Sequence, residues 1–254
     1  MKVYKRGSGQ PEVTVVGSLH GDEPTGRRAI EKFLEEEHEF NAAVKFIVAN
    51  EEALKRDVRY IDTDLNRSFP GDHDSDSHEE RLAAKIMDEI DTDKVLDLHT
   101  THSYPLPFAT FTNLNDRTKS MMRGTGVTQA VHFPEHNGTL NEHFDGVIVE
   151  TGFQKTEMAL HNAVGVITNF LASEGVLDVS YGESDPEIYR HRETIKGDWE
   201  FTARNFSLVE KGETYARKDG DEMVAQEDFY PVLMSTDGYN GMLGFRAYIE
   251  EKDR

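Results

Sequence analysis

The sequence predicts an α/β fold, a mostly parallel mixed sheet flanked by helices, followed by a small β-rich C-terminal domain. Three observations carry this. Short β-branched runs alternate with helical patterns over the first two thirds of the chain. That alternation stops near residue 172. Beyond it, brief apolar runs are broken by Gly and Asp, the pattern of strands joined by turns.

The elements follow in order. "EVTVVGSL" (12–19) is a short β-branched run of the kind buried on both faces of a sheet. Pro24 suits a first helical position, where its missing N–H has no partner to lose. Behind it, "TGRRAIEKFLEEEHEF" places Ile30, Phe33 and Leu34 at helical spacing. "AAVKFIVAN" (42–50) is a second strand, and "EERLAAKIMDEI" (79–90) is a helix, amphipathic through Leu82, Ile86 and Ile90. "KVLDLHT" (94–100) and "GVIVETG" (146–152) are further short buried strands. A helix near 155–172, "KTEMALHNAVGVITNFLA", closes the series. "SEGVLDVSYGESDPE" reads as a linker, and "EIYRHRETI", "NFSLVEKGETYARK", "EMVAQEDFYPVLM" and "GFRAYIEE" as strands. The expected division is an α/β domain at 1–172 and a small β-rich domain at 173–254.

Composition narrows the chemistry. A chain of 254 residues with 37% hydrophobic content can bury a proper core. It has no cysteine, which excludes disulfides and thiolate metal sites, so any metal must take His, Asp or Glu. No apolar run approaches the roughly 20 residues needed to span a membrane. "MKVYKRGSGQPEV" lacks the apolar core of a secretory signal, so a cytoplasmic location is expected. A net charge of −20 argues against a nucleic-acid partner, which needs a basic face. The acidity is spread through helices, loops and tail, which fits solubility in high salt and predicts a salt-loving (halophilic) source.

Three of the apolar strands end in residues able to serve a metal. The first ends at His20, with Glu23 three residues on; "VLDLH" ends at His99; "VIVE" ends at Glu150. In parallel sheets such residues meet just beyond the carboxyl ends of the strands. Two His and one carboxylate form a known catalytic zinc set that leaves a fourth position open. Glu150 then remains to take a proton from water and pass it to a leaving nitrogen. Taken alone, H-x-x-E fits a solvated helix start equally well, because an acid there favours the helix dipole. Its partners at the other strand ends are what bring in the metal reading.

"DVRYIDTDLNRSFPG" (57–71) imitates a calcium loop through Asp62, Asp64 and Asn66. The sixth position is Arg67 where such a loop needs Gly, and the twelfth is His73 where it needs Glu, so that reading fails. Arg59 and Arg67 stand out instead, either as bidentate partners for a substrate carboxylate or as surface salt bridges. "GDHDSDSHEE" (71–80) reads as a solvated loop. His132, His136 and His143 read either as exposed loop residues or as residues that shape specificity, His102 as a second His at the strand end of His99 that could line the pocket, and Trp199 and Tyr215 as packing residues.

Taken together, "HGDEPTG" (20–26), "RYIDTDLNRSF" (59–69), "DLHTTHS" (97–103) and "VIVETG" (147–152) resemble the aspartoacylase/succinylglutamate desuccinylase family, a branch of the zinc-carboxypeptidase-like fold. The resemblance covers about residues 10–170, and "DFYPVLMSTDGY" matches more weakly. It implies one zinc per chain held by His20, Glu23 and His99, with Glu150 as general base and then acid. It implies that Arg59 polarises the scissile carbonyl, that Asn66 and Arg67 grip a substrate carboxylate, that Asp64 supports them, and that Tyr239 faces the substrate.

The implied activity is hydrolysis of the amide bond of a small N-acylated amino acid by metal-activated water. Rival readings on the same fold are a zinc carboxypeptidase acting on peptides, a deacylase or esterase of another substrate class, and a non-catalytic binding protein. The last predicts a missing ligand or base, and none is missing. There is one departure. The aspartoacylase branch carries a further arginine shortly before its catalytic glutamate, whereas Leu140 holds the approximate place here and no Arg or Lys lies between Arg123 and Glu150. The acyl group, the amino acid and the oligomeric state stay open.

Overall fold

The computed structural model describes residues 1–134, 138–238 and 241–250. Its strands are β1 (Lys2–Arg6), β2 (Pro11–Gly17), β3 (Ala43–Val48), β4 (Lys94–Thr101), β5 (Phe108–Phe111), β6 (Gln129–His132) and β7 (Asp145–Phe153). They continue as β8 (Glu187–Lys196), β9 (Glu200–Phe201), β10 (Thr214–Lys218), β11 (Asp221–Val224), β12 (Tyr230–Val232) and β13 (Met242–Ile249). Ten of them form one sheet in the order β1-β3-β2-β4-β7-β5-β6-β8-β13-β12, and β11-β10-β9 form a second, three-stranded sheet.

The sheet is parallel where its sequence is most continuously apolar. β2 pairs parallel with β3 and β4, and β4 with β7. All six residues of β3 are buried, so AVKFIV shows no in-out alternation, and its one polar member, Lys45, carries its ammonium out to Glu89 and Asp91. β5 then runs antiparallel to β7, making the sheet mixed, while β6 runs parallel to both β5 and β8. The antiparallel strands β13 and β12 complete that edge.

Helices cover both faces. On one lie α1 (Thr25–Glu35), α4 (Asp116–Thr125) and α5 (Glu157–Ser173), which bury Ile30, Phe33, Met121, Met122, Ile167 and Phe170 against Val13, Val15, Leu96 and Leu98. On the other, α3 (His78–Glu89) sets Leu82, Ala83 and Ile86 against Val16, Ile47 and Val95. The short α2 (Glu51–Arg56) is capped by Asn50, whose side chain accepts from the Ala53 amide. No helix among the described residues is long and apolar enough to cross a membrane.

Several elements differ from the sequence expectation. α1 ends at Glu35 and Glu36 is extended, so "EEHEF" is not helical. A run of glutamates is unfavourable at the negative end of the helix dipole. β1, α2, β5, α4 and β6 were not expected; β5 and β6 have four residues each, too few to show a period. The linker after residue 172 packs Val176 and Leu177 into the main core, with Leu177 bridging Phe40. β8, β13 and β12 continue the large sheet, and the separate C-terminal layer is the three-stranded sheet, closed over Tyr215, Phe229 and Leu243 with Trp199 packed against them.

Candidate metal and catalytic site

The turn after β2 is built to aim two side chains back at one point. Ser18 adopts a left-handed φ of 58°, donates through its hydroxyl to the Glu23 carbonyl, and accepts from the Arg27 amide. The Glu23 amide closes onto the His20 carbonyl at 3.3 Å. Gly21 must be glycine for want of space: a Cβ there would lie 2.1 Å from the Ala53 carbonyl carbon. Its amide donates to the Arg59 carbonyl at 3.0 Å, tying the turn to the next functional loop.

His20, Glu23 and His99 converge, all buried, with one ligand atom from each lying within 4.8 Å of the others. His20 Nδ1 is 3.0 Å from Glu23 Oε1, and His99 Nδ1 is 3.4 Å from Glu23 Oε2. The outer nitrogens each have a carboxylate of their own: His20 Nε2 meets Asp64 Oδ1 at 3.0 Å, and His99 Nε2 meets Asp97 Oδ2 at 2.9 Å. A carboxylate on Nε2 fixes the tautomer that leaves Nδ1 free to ligate, the arrangement characteristic of histidines that hold a metal. Glu23 Oε2 also accepts from the Thr100 amide at 2.8 Å, which orients the third side chain of the group.

Electrostatics point the same way. Burial pushes the His99 pKa down, but Asp97 and Glu23 outweigh it and hold the ring well above the usual imidazole range. His20 is raised by Glu23 and Asp64 against the same burial. Glu23 and Asp64 lie below the ordinary carboxylate range, because His20 and the groups beside it overcome desolvation. To ligate a metal both rings must give up the protons this acidic setting favours, and Glu23, Asp64 and Asp97 then face only the single positive charge of Arg59. A divalent cation among these donors neutralises the cluster, so the residues present fit a metal.

Arg59 reaches Glu23 Oε1 through Nη1 at 3.2 Å and Asp64 Oδ2 through Nε at 3.1 Å. Its loop is held from behind by the fully buried Glu79 of α3, which accepts from the amides of Ile61, Asp62 and Thr63 at 2.7, 2.9 and 3.2 Å and from Asn50 Nδ2 at 3.1 Å. Asp64 caps the following turn by accepting from the Asn66 amide. Asn66 Oδ1 in turn accepts from the Leu140 amide at 3.2 Å, and the Phe69 amide donates to the Gly138 carbonyl at 3.1 Å. The two loops flanking Arg67 are thereby zipped together.

Glu150 is the cross-strand register partner of His99. Its Oε2 is buried and has no hydrogen-bond partner among the described residues. Burial, helped by Glu23 and opposed by His99, pushes its carboxyl up to about 7. A carboxylate poised there is suited to accept and return a proton near neutrality.

One cavity of about 240 Å³ is lined by His20, Glu23, His99, Arg59, Asp64, Asn66, Arg67 and Glu150 together. Tyr239 and His136 lie outside the described residues. His102 and His143 are exposed, and His132 is buried between Glu250 and the Thr112 carbonyl. Leu140 is fully buried in the core cluster beneath α3. Two contributors escape sequence reasoning, Asp97 and Glu79. Asp97 sits two residues before His99 on the same strand face, the one signal that could have found it.

The succinylglutamate desuccinylase/aspartoacylase catalytic domain matches residues 9–146. The chain belongs to this family. A Xenopus tropicalis protein named N-acyl-aromatic-L-amino acid amidohydrolase (carboxylate-forming) is 36% identical over 106 residues, 36% of this chain and 34% of that protein. A probable aspartoacylase of Prochlorococcus marinus (strain MIT 9215) is 35% identical over 102 residues, 35% of this chain and 34% of that protein. The matched segment is about a third of the length of these curated relatives. The crystal structure of a succinylglutamate desuccinylase/aspartoacylase from Rhodobacter sphaeroides superposes with a TM-score of 0.80 at 20% identity, covering 99% of this chain and 89% of that one, and shows the same fold.

Proposed function

We propose that this protein is a zinc-dependent amidohydrolase that removes the acyl group from a small N-acyl amino acid. The observation that carries the reading is the convergence on one cavity of the His20, Glu23 and His99 donors with the unpartnered buried oxygen of Glu150. Nitrogen and carboxylate donors without thiolate suit zinc, one ion per chain, held by His20, Glu23 and His99. Such an ion supplies a Lewis acid and makes water a nucleophile at neutral pH.

The chain's own residues supply the rest. Glu150 accepts the proton that water gives up as it attacks, and returns it to the departing amine nitrogen. Arg59, held by Glu23 and Asp64, presents its guanidinium where negative charge develops on the acyl oxygen. Asn66 and Arg67 receive the substrate carboxylate, with Asp64 fixing the turn that carries them. Tyr239 completes the substrate contacts in this reading. Residues 173–254 act as a pocket-completing domain by setting Leu233, Met242 and Phe245 into the cavity wall beside the catalytic segment 1–172. The cavity volume favours a small molecule over an extended peptide. The acidic surface suits a cytoplasm rich in salt.

The relatives' names divide between aromatic N-acyl amino acids and aspartate at nearly equal identity, so similarity does not choose the side chain. The test is a screen of the zinc-loaded protein against N-acetyl, N-formyl and N-succinyl amino acids, with metal content measured in parallel. Release of free amino acid at one zinc per chain is expected. Cleavage of short peptides alone, or no metal uptake, overturns the reading.

A further inference from the structure

We propose that Thr151 and Asn162 are positioning residues that clamp a β-bulge directly behind Glu150 and so aim its carboxylate into the cavity. The inference rests on the deacylase reading and concerns the backbone beneath the acid. His99 of β4 stands opposite Glu150 of β7, but Thr101 stands opposite Phe153. One residue of β4, Thr100, therefore faces two of β7, Thr151 and Gly152, which is a β-bulge. Bulges are rare in parallel pairs and collect beside functional sites, where the extra residue turns a side chain to a new direction. Gly152 makes this one possible. Its φ is 129°, and a Cβ on it would lie 2.8 Å from the Pro105 carbonyl oxygen.

A bulge interrupts the ladder, so the backbone groups around it need other partners. Side chains supply them. The fully buried Thr151 donates through its hydroxyl across the strands to the His99 carbonyl at 3.0 Å. Asn162, in the second turn of α5, donates through Nδ2 to the Thr151 carbonyl at 2.9 Å. Asparagine is a weak helix former, and this bond gives its place in α5 a reason. On the facing strand the Thr100 amide goes to Glu23 Oε2 at 2.8 Å. The strands rejoin where the Gln154 amide donates to the Thr101 carbonyl at 3.1 Å. Glu150 has no such anchor of its own, since its buried Oε2 has no hydrogen-bond partner among the described residues. Its direction is therefore set by the backbone under it, and the clamp fixes that backbone. A misplacement of about 1 Å at a reacting group can cost about 100-fold in rate.

The test compares Thr151→Val, which keeps the shape and loses the hydroxyl, with Thr151→Ser, which keeps the hydroxyl, and with Asn162→Asp, which loses the amide donor. The zinc-loaded proteins are assayed on an N-acyl amino acid that the wild type hydrolyses. In Thr151→Val and Asn162→Asp, kcat should fall about 10- to 100-fold while KM changes by less than about threefold. Thr151→Ser should recover most of the lost rate. The double variant Thr151→Val/Asn162→Asp should be little slower than the slower single one, because both release the same bulge. Zinc affinity, read by chelator competition, should stay within about threefold of wild type, because Asp97 and Asp64 still orient the two rings. Crystal structures of wild type and Thr151→Val give a readout independent of turnover. The Glu150 carboxylate should move by more than about 0.5 Å relative to His99, with His20 and Glu23 in place. Should Thr151→Val not fold, Asn162→Asp, half-buried on α5, carries each of these measurements. A lower melting temperature with kcat untouched below it marks a merely structural role and overturns the proposal, as does joint loss of rate and zinc. If the wild type hydrolyses no compound, the deacylase reading fails by itself, and the structures still decide the clamp: an unmoved Glu150 refutes it.

Discussion

His99 and Glu150 are register partners on the adjacent parallel strands β4 and β7, so an imidazole able to hold a metal and the orphaned carboxylate rise from neighbouring strands on one rigid support. Neither position depends on a loop. Because Glu150 is not one of the three converging donors, its chemistry separates from metal binding. Glu150→Gln keeps the shape and removes the proton acceptor. Turnover should fall by at least about 100-fold and as much as about 10,000-fold, with metal content unchanged. His20→Ala should instead lose the metal. Steady-state rates paired with elemental analysis of both variants check this, and a Glu150→Gln enzyme of normal rate refutes the role.

Asp97 is fully buried two residues before His99 and accepts from its Nε2 at 2.9 Å. That contact sets which ring nitrogen remains for the metal. Asp97→Asn can present an amide N–H to the same nitrogen and so favours the wrong tautomer. Zinc affinity should drop about 10- to 100-fold, read by competition with a chromophoric chelator. A change of less than about twofold would show that the ring is oriented by other contacts.

Much of this site is legible in the sequence because His20, His99 and Glu150 each follow or close an apolar run, Glu23 lies three residues past His20, and strand ends meet beyond a parallel sheet. His20, Glu23, His99 and Glu150 need no knowledge of the loops between them. Asp97 is harder to read, since an acid inside "VLDLH" looks like an interruption of a buried strand rather than a partner for its neighbour. Glu79 is illegible for another reason. At a helix start an acid is ordinary, and the three amides it holds belong to a patternless loop fixed only in three dimensions. The C-terminal strands could be seen as strands, but their partners are non-local. Nothing in "EIYRHRETI" says that β8 pairs with β6.

The net charge of −20 makes a salt prediction. Self-repulsion among surface carboxylates opposes the folded state at low ionic strength, and molar salt shortens the screening length to about 3 Å. The melting temperature should therefore rise from low to molar KCl. Thermal unfolding across that series measures it, and greater stability in low salt would contradict the salt-adapted reading.

Glu79 offers the most specific stability test. Its carboxylate accepts from three consecutive backbone amides and from Asn50, all donors, with no water-exposed surface. Burial raises its pKa, but these hydrogen bonds outweigh it and hold the group below the ordinary value of 4.5. In Glu79→Gln one oxygen becomes an NH₂ that faces backbone donors, leaving amides of the Arg59–Asp64 loop unpaired. The cost at neutral pH should be about 2–3 kcal/mol. A depressed folded pKa contributes stability that is full above 4.5 and fades as pH falls through the lower folded value. The gap between wild type and variant should therefore narrow below pH 4.5, a sign opposite to that of a buried group with a raised pKa. Denaturant unfolding of both proteins at neutral and acid pH reads the gap directly. Because the loop carries Arg59, the variant should also lose activity at temperatures where it is still folded. A variant that matches wild type in stability across the pH range would show that the loop is held without Glu79.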